Sequence, residues 1–271
     1  MTNLKDYAEF VGSETIEDLI LLSEELKGIK VLHINSTKEG GGVAEILSRL
    51  VSLMNALGIE THWEVFKGSD EFFHFTKKLH NMLHIRGFST IESHEVSIYL
   101  RETYENLNRI NTENYDVVFV HDPQPMGMVI NKKKHQKWVW RCHIDTSTPD
   151  PKAWDFIELF VNAYDAVIFH IPEFVYQNIK PPTYIIPPSI DPLHPKNIEL
   201  DQEFILQTIS KFGIDPEKPI LLQVSRFDRL KDPIGVYQAY KLVKNKYPCQ
   251  LVLVGSYASD DPEGRRFTGK S

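Results

Sequence analysis

The sequence predicts an α/β protein built on a parallel sheet, and three observations carry that expectation. Short, continuous apolar runs rich in β-branched residues recur along the chain, amphipathic helical segments alternate with them, and several runs end in polar or glycine-rich tips. A strand buried on both faces reads as an unbroken apolar run, and right-handed crossovers lay the intervening helices over the sheet.

In chain order, Ile16, Leu19, Ile20, Leu22 and Leu26 fall near helical spacing, with Gly28 as a stop. Residues 29–34 form a short β-branched run, 35–42 a turn-rich stretch, and Val43, Ile46, Leu47, Leu50, Leu53, Met54 and Leu57 a helical face closed by Gly58. This is strand, glycine loop, helix. A strand over 61–66 and helical stretches near 71–85 and 91–110 follow. The run 115–120 ends in His121-Asp122-Pro123, and 138–141 ends in Cys142-His143-Ile144-Asp145. A helix over 153–163, a strand over 165–169 and a short strand over 183–186 complete a first domain spanning 1–195, of which 1–28 is an N-terminal extension. Beyond Pro195 the pattern predicts a helix over 201–212, a strand over 219–224, a helix from Pro233 to about 246 and a strand over 250–254. Residues 196–271 thus open a second βαβ-type domain. With about two strands and one clear helix it falls short of the roughly 100 to 150 residues of an independent domain.

Bulk properties narrow the function. At 271 residues, 42% of them hydrophobic, the chain suits a little under two domains of roughly 150 residues each. Thirty Lys and Arg against 37 Asp and Glu leave a net charge of -7, which lacks the basic field of a general nucleic-acid binder. The two cysteines, Cys142 and Cys249, lie far apart, giving no support to a disulfide scaffold or a thiolate zinc site. An acidic N-terminus, with Asp6, Glu9, Glu14, Glu17 and Asp18, is the wrong charge for a targeting peptide, and no apolar run reaches about 18 residues. A cytoplasmic protein without a membrane span is the expectation.

In an open parallel sheet, ligands bind beyond the carboxyl ends of the strands. Four such ends carry chemistry. At Gly40-Gly41-Gly42-Val43, missing side chains let main-chain amides approach a ligand at the positive end of a helix, although a flexible turn explains a bare triple glycine as well. Asp122 and Asp145 suit sugar hydroxyls, with loop capping as the alternative. Arg226 and Lys231, five positions apart with a turn between, can face one diphosphate, the Arg as a bidentate fork and the Lys as a point charge, or simply form a solvated loop. His80 and His84 lie i,i+4 without an H-E-x-x-H pattern and read as a surface pair, so no metal site is predicted. The tail from Gly264 to Ser271 matches G-x-x-x-x-G-K-S but has no helix after it to cradle phosphate, and the P-loop reading fails.

Taken together, the strand-Gly-Gly-Gly-Val-helix opening, the His-Asp-Pro turn, the Arg-Cys-His-Ile-Asp strand end and the Ser-Arg-Phe-Asp-x-x-Lys-Asp loop resemble the retaining glycosyltransferases of family 4. Within that family the sequence is most similar to the trehalose glycosyltransferring synthases, with the trehalose phosphorylases nearby. The resemblance runs from about Lys30 to about Gly264. It implies a GT-B fold, two Rossmann-like, doubly wound parallel sheets facing a cleft, the second incomplete here. It also implies transfer of glucose from a nucleotide-diphosphate glucose to glucose with retention, giving α,α-trehalose reversibly. Phosphorolysis of trehalose, or sugar and nucleotide binding without catalysis, are the alternatives.

Carried onto this chain, Arg226 and Lys231 would neutralise the donor diphosphate, and Gly41 and Gly42 would let backbone approach donor phosphate and acceptor sugar. Asp122, joined by Asp145, would hold acceptor hydroxyls, and His143 would lie beside the reacting glucose. No cofactor is required by these motifs, with magnesium admitted only as a counter-ion to diphosphate. The partners implied are nucleotide-diphosphate glucose, glucose and trehalose, with no nucleic acid, no membrane, and a homodimer left open. The family's Glu-x-seven-Glu motif has no counterpart before Ser271, and the tail from Gly264 departs from the family's pattern, so the resemblance predicts a second domain cut short.

Overall fold

A computed structural model of the chain describes residues 3–39, 41–87, 90–227 and 231–255. They divide into two compact units, Met1–Pro192 and Leu193–Ser271, three residues before the boundary at 195 that the sequence suggests.

The first unit begins with a short 3-10 turn at Leu4–Tyr7, α1 (Ala8–Val11) and α2 (Ser13–Glu24), of which the sequence pattern marks only the last. There follow β1 (Lys30–Asn35), α3 (Gly42–Ala56), β2 (Glu60–Val65), α4 (Asp70–His84), α5 (Ser93–Arg109), β3 (Val117–His121), β4 (Lys137–Arg141), α6 (Pro151–Val161), β5 (Ala166–Phe169) and β6 (Thr183–Ile185). Every neighbouring pair of strands is parallel, in the order β2-β1-β3-β4-β5-β6. The chain turns back at β1, entering β2 on one side and β3 on the other. With right-handed crossovers that reversal sends α3 to one face and α4, α5 and α6 to the other. It also makes the gap between the carboxyl ends of β1 and β3 the topological switch point, the place where open α/β sheets bind ligands.

An aromatic core fastens the second face. Trp138, Trp140, Tyr99, Phe66 and Phe72 are wholly buried, and the Phe75 ring meets both Tyr99 and Phe156 edge-on. The Tyr99 hydroxyl donates to the Pro123 carbonyl at 2.7 Å and accepts from the Gly127 amide at 2.9 Å, while Tyr164 donates to the Met126 carbonyl at 2.6 Å. Two core hydroxyls thereby pin the loop that follows the β3 tip.

Helices α4 and α6 start at side-chain caps. Asp150 accepts from the Lys152 amide and from Gly87, with Pro151 opening α6, and Ser69 caps α4.

The second unit contains α7 (Gln202–Lys211), β7 (Ile220–Val224), α8 (Pro233–Lys244) and β8 (Gln250–Val254), the two strands paired in parallel. Gly255 passes so close to the Ser225 carbonyl oxygen that a Cβ there would lie 2.2 Å from it, so only glycine fits. Leu222, Val224 and Val254 on its strands are half or more exposed.

Candidate functional site

The site is built at the carboxyl ends of β1, β3, β4 and β5, and the strand register explains its centre. His33 pairs with Phe119, so His121 stands two residues further along β3 on the same face. His121 pairs with Arg141, and His143 lies two residues beyond it; Arg141 pairs with Ile168, and His170 lies two beyond that. The imidazole therefore advances by one pleat from β1 to β3 and again from β3 to β4, while His170 stands level with His143, and all four rings lie on one sheet face.

They join in a single hydrogen-bonded row. His33 Nδ1 is 3.0 Å from His121 Nε2, His121 Nδ1 is 2.9 Å from His143 Nε2, and His143 Nδ1 is 3.1 Å from His170 Nε2. The His33 ring also stacks on Phe119 with centroids 4.8 Å apart. At the inner end His33 and His121 are buried; at the outer end His170 is partly exposed.

Electrostatics keep the row neutral. Burial, reinforced by the positive Arg141, pushes His33 and His143 down to about 3. His121 is held well below its ordinary value by burial and by its two imidazole neighbours, and His170 is lowered by burial and Arg141. Arg141 is itself buried, donating to the Ile186 carbonyl at 3.3 Å, and its Nε has no hydrogen-bond partner among the described residues. A guanidinium edge at this depth is available to an anionic or hydroxyl oxygen.

The residues singled out from the sequence fall into three places. Asp122 and His143 meet at the adjacent tips of β3 and β4: Asp122 adopts a left-handed backbone (φ 64), and its Oδ1 accepts from the His143 amide at 2.7 Å. Its carbonyl takes the Trp140 indole N–H at 3.1 Å, and its amide continues the ladder to Arg141. Asp122 is thus part of the loop's architecture. Both ring nitrogens of His143 are engaged by the neighbouring imidazoles. Asp145 closes a local turn onto the Ser147 amide at 2.9 Å.

Gly41 and Gly42 open α3, where no side chain caps the first turn and a Cβ on either would meet nothing within 4 Å. Gly40 lies outside the described residues. The loop before them is braced by Asn35 Nδ2 on the Thr37 carbonyl and by Trp63 Nε1 on Asn35 Oδ1, both at 2.7 Å.

Arg226 and Lys231 belong to the second unit, in the connection from β7 to α8. The Lys231 carbonyl accepts from Gln223 Nε2 at 2.8 Å, and the following Asp232 caps α8 through the Gly235 amide. Asp228, Arg229 and Leu230 between them, and the tail from Gly264, lie outside the described residues. Among the described residues no three His, Cys, Asp or Glu side chains form a metal-binding group, and no helix is long and apolar enough to cross a membrane. Cys142 and Cys249 are both buried free thiols, that of Cys142 pushed up by burial.

Sequence reasoning missed His33 and His170. His33 sits inside the apolar run of β1, and His170 directly follows that of β5; their one signal was a histidine within or just after an apolar strand run, as also at His121 and His143.

An open parallel sheet of this order, followed by a second parallel α/β unit, places the chain in the GT-B class of folds. A sucrose-phosphate synthase from Thermosynechococcus elongatus has that architecture, with a TM-score of 0.53 and 14% identity over 89% of this chain and 66% of that one. More narrowly, residues 33–176, over half of the chain, match the trehalose synthase N-terminal domain family, and the chain belongs to it. It is 45% identical over 263 residues to the trehalose synthase of Pyrococcus horikoshii, covering 96% of this chain but 63% of that protein. A trehalose phosphorylase of Pleurotus pulmonarius is more distant, at 27% identity over 311 residues and 42% of its length. The chain therefore spans less than two thirds of the length of the trehalose synthase it matches.

Proposed function

We propose that this chain serves a retaining glucosyltransferase that joins glucose from a nucleotide-diphosphate glucose to free glucose, giving α,α-trehalose in a reversible reaction. The observation that carries this reading is the 45% identity to a trehalose synthase over almost the whole chain, against 27% to a trehalose phosphorylase. In this reading the first unit holds the acceptor and the second begins the nucleotide-sugar domain.

The catalytic work is positioning and charge stabilisation. Arg226 and Lys231 neutralise the diphosphate as it departs, and the amides around Gly41 and Gly42 receive phosphate or sugar oxygens at the positive end of α3. Asp122 and Asp145 take the acceptor's hydroxyls, with His143 beside the reacting carbon. Attack on the same face as the leaving group, with the phosphate accepting the acceptor's proton, retains configuration without a carboxylate nucleophile. Magnesium as a diphosphate counter-ion, a homodimer and a cytoplasmic location belong to the same reading; added chelator, sedimentation and fractionation test them.

The decisive experiment incubates the chain with glucose and several nucleotide-diphosphate glucoses and assays trehalose. Trehalose formation supports the reading. Product from glucose 1-phosphate and glucose alone, with none from nucleotide donors, makes the protein a phosphorylase instead. Sugar or nucleotide binding without turnover reduces this chain to a binding module.

A further inference from the structure

The hydrogen-bonded row of imidazoles constrains more than the orientation of His143. A neutral imidazole carries one N–H, and each of the three contacts pairs an Nδ1 with the next ring's Nε2. Each contact needs one donor and one acceptor. Only two arrangements satisfy all three: every ring carries its proton on Nδ1, or every ring carries it on Nε2.

The inner end chooses between them. Among the described residues, His33 Nε2 is buried without a hydrogen-bond partner. In the Nε2–H arrangement it would be a bare buried N–H, the kind of orphan that folded proteins rarely tolerate; in the Nδ1–H arrangement it is an unused lone pair, which costs less. The nearby positive charge of Arg141, which acts on all four rings, opposes any protonated member of the row.

We propose that the four histidines form a neutral chain of one polarity, each protonated on Nδ1, which offers His170 Nδ1–H at the mouth of the site as the donor to a sugar hydroxyl oxygen. His33 and His121 are positioning residues in this scheme, setting through His143 which nitrogen of His170 carries the proton. His143, with both nitrogens committed, acts on the ligand through its place in the row and not through a ring N–H of its own. No proton is transferred: the row fixes a tautomer and a direction. The sugar as ligand rests on the trehalose reading above; the tautomers do not.

Two-bond ¹H–¹⁵N correlation spectra of uniformly ¹⁵N-labelled full chain at neutral pH report each histidine's tautomer directly. Four neutral Nδ1–H rings are expected, a form that free histidine disfavours, and the His170 signals should move when glucose is added. His121→Phe keeps a stacking ring but cuts the row, so His143 and His170 should revert to a mixture dominated by Nε2–H in a chain whose backbone amide spectrum stays folded. His170→Phe, at the partly exposed end, tests the same donor without touching the core: glucose binding should weaken about tenfold, the ordinary effect of one lost hydrogen bond of about 1.4 kcal/mol. Mixed tautomers in the unaltered chain overturn the proposal, as does a His170 signal that stays fixed while other site signals respond to glucose. If glucose moves no signal at all, the trehalose reading fails and the sugar with it, while the tautomers, read without ligand, still decide whether the row has one polarity.

Discussion

His33 carries the plainest pH consequence. It is 2% exposed and has its imidazole pushed down to about 3, whereas the unfolded chain's histidine titrates near its ordinary value of 6.5. Between those values the unfolded state binds the extra proton, so the folded state loses stability as pH falls, by about 1.4 kcal/mol per pH unit for one fully affected histidine. His143 and His121 act in the same direction. Urea midpoints should be level above pH 7 and drop steadily toward pH 5; a flat profile would show that these rings are not neutral in the fold.

Asp122 separates architecture from ligand contact at the same scale. Asn tolerates the left-handed backbone and keeps the oxygen that receives the His143 amide, so Asp122→Asn should fold normally while glucose binding weakens. Normal affinity in that variant would assign Asp122 to the loop alone. For Arg226 and Lys231, change to Ala should weaken nucleotide-sugar binding by about 1.5 to 3 kcal/mol each, measured by calorimetry. Unaltered affinity in both removes them from the donor site.

Among the elements, the 3-10 helix at Met126–Asn131 sets the β3 tip. It begins two residues after His121-Asp122-Pro123, beyond Gln124 and Pro125, and is tied to α5 by the Tyr99 hydroxyl, which serves Pro123 and Gly127 at once. Tyr99→Phe leaves the Gly127 amide unpaired and the Pro123 carbonyl with the Met126 amide as its remaining donor, at a cost of about 1 to 3 kcal/mol. Thermal or urea unfolding reads that loss, and a neutral outcome would mean that the loop does not depend on the hydroxyl. The strands and helices that position the site were legible in the sequence to within a few residues, because a buried strand and an amphipathic helix each write a local period. The Asp150–Gly87 bond and the tyrosine ties were not, since their partners sit far along the chain: Gly87 is 63 residues from Asp150, and Pro123 is 24 from Tyr99.

For the molecule as a whole, the two units differ in how well they cover themselves. Residues buried in the first unit include nearly all of the aromatic core, while in the second Phe212, Leu222, Val224, Ile234 and Leu242 are all more than half exposed. Apolar faces of this extent promote association. Light scattering should show mass rising with concentration, and Leu222→Lys with Val224→Lys should reduce it; a monomer at every concentration would contradict the expectation.

What the sequence determined by itself was the α/β class, the order of strands and helices, and the strand ends where chemistry collects, since burial and periodicity are properties of neighbouring residues. The GT-B resemblance rested on four short motifs at such ends and needed no coordinates. Only the tertiary structure decided which polar groups meet. His33 and His121 are 88 residues apart, and His143 and His170 are 27 apart. Whether they touch depends on which strands pair and in what register, and a shift of one residue would turn an imidazole to the opposite face.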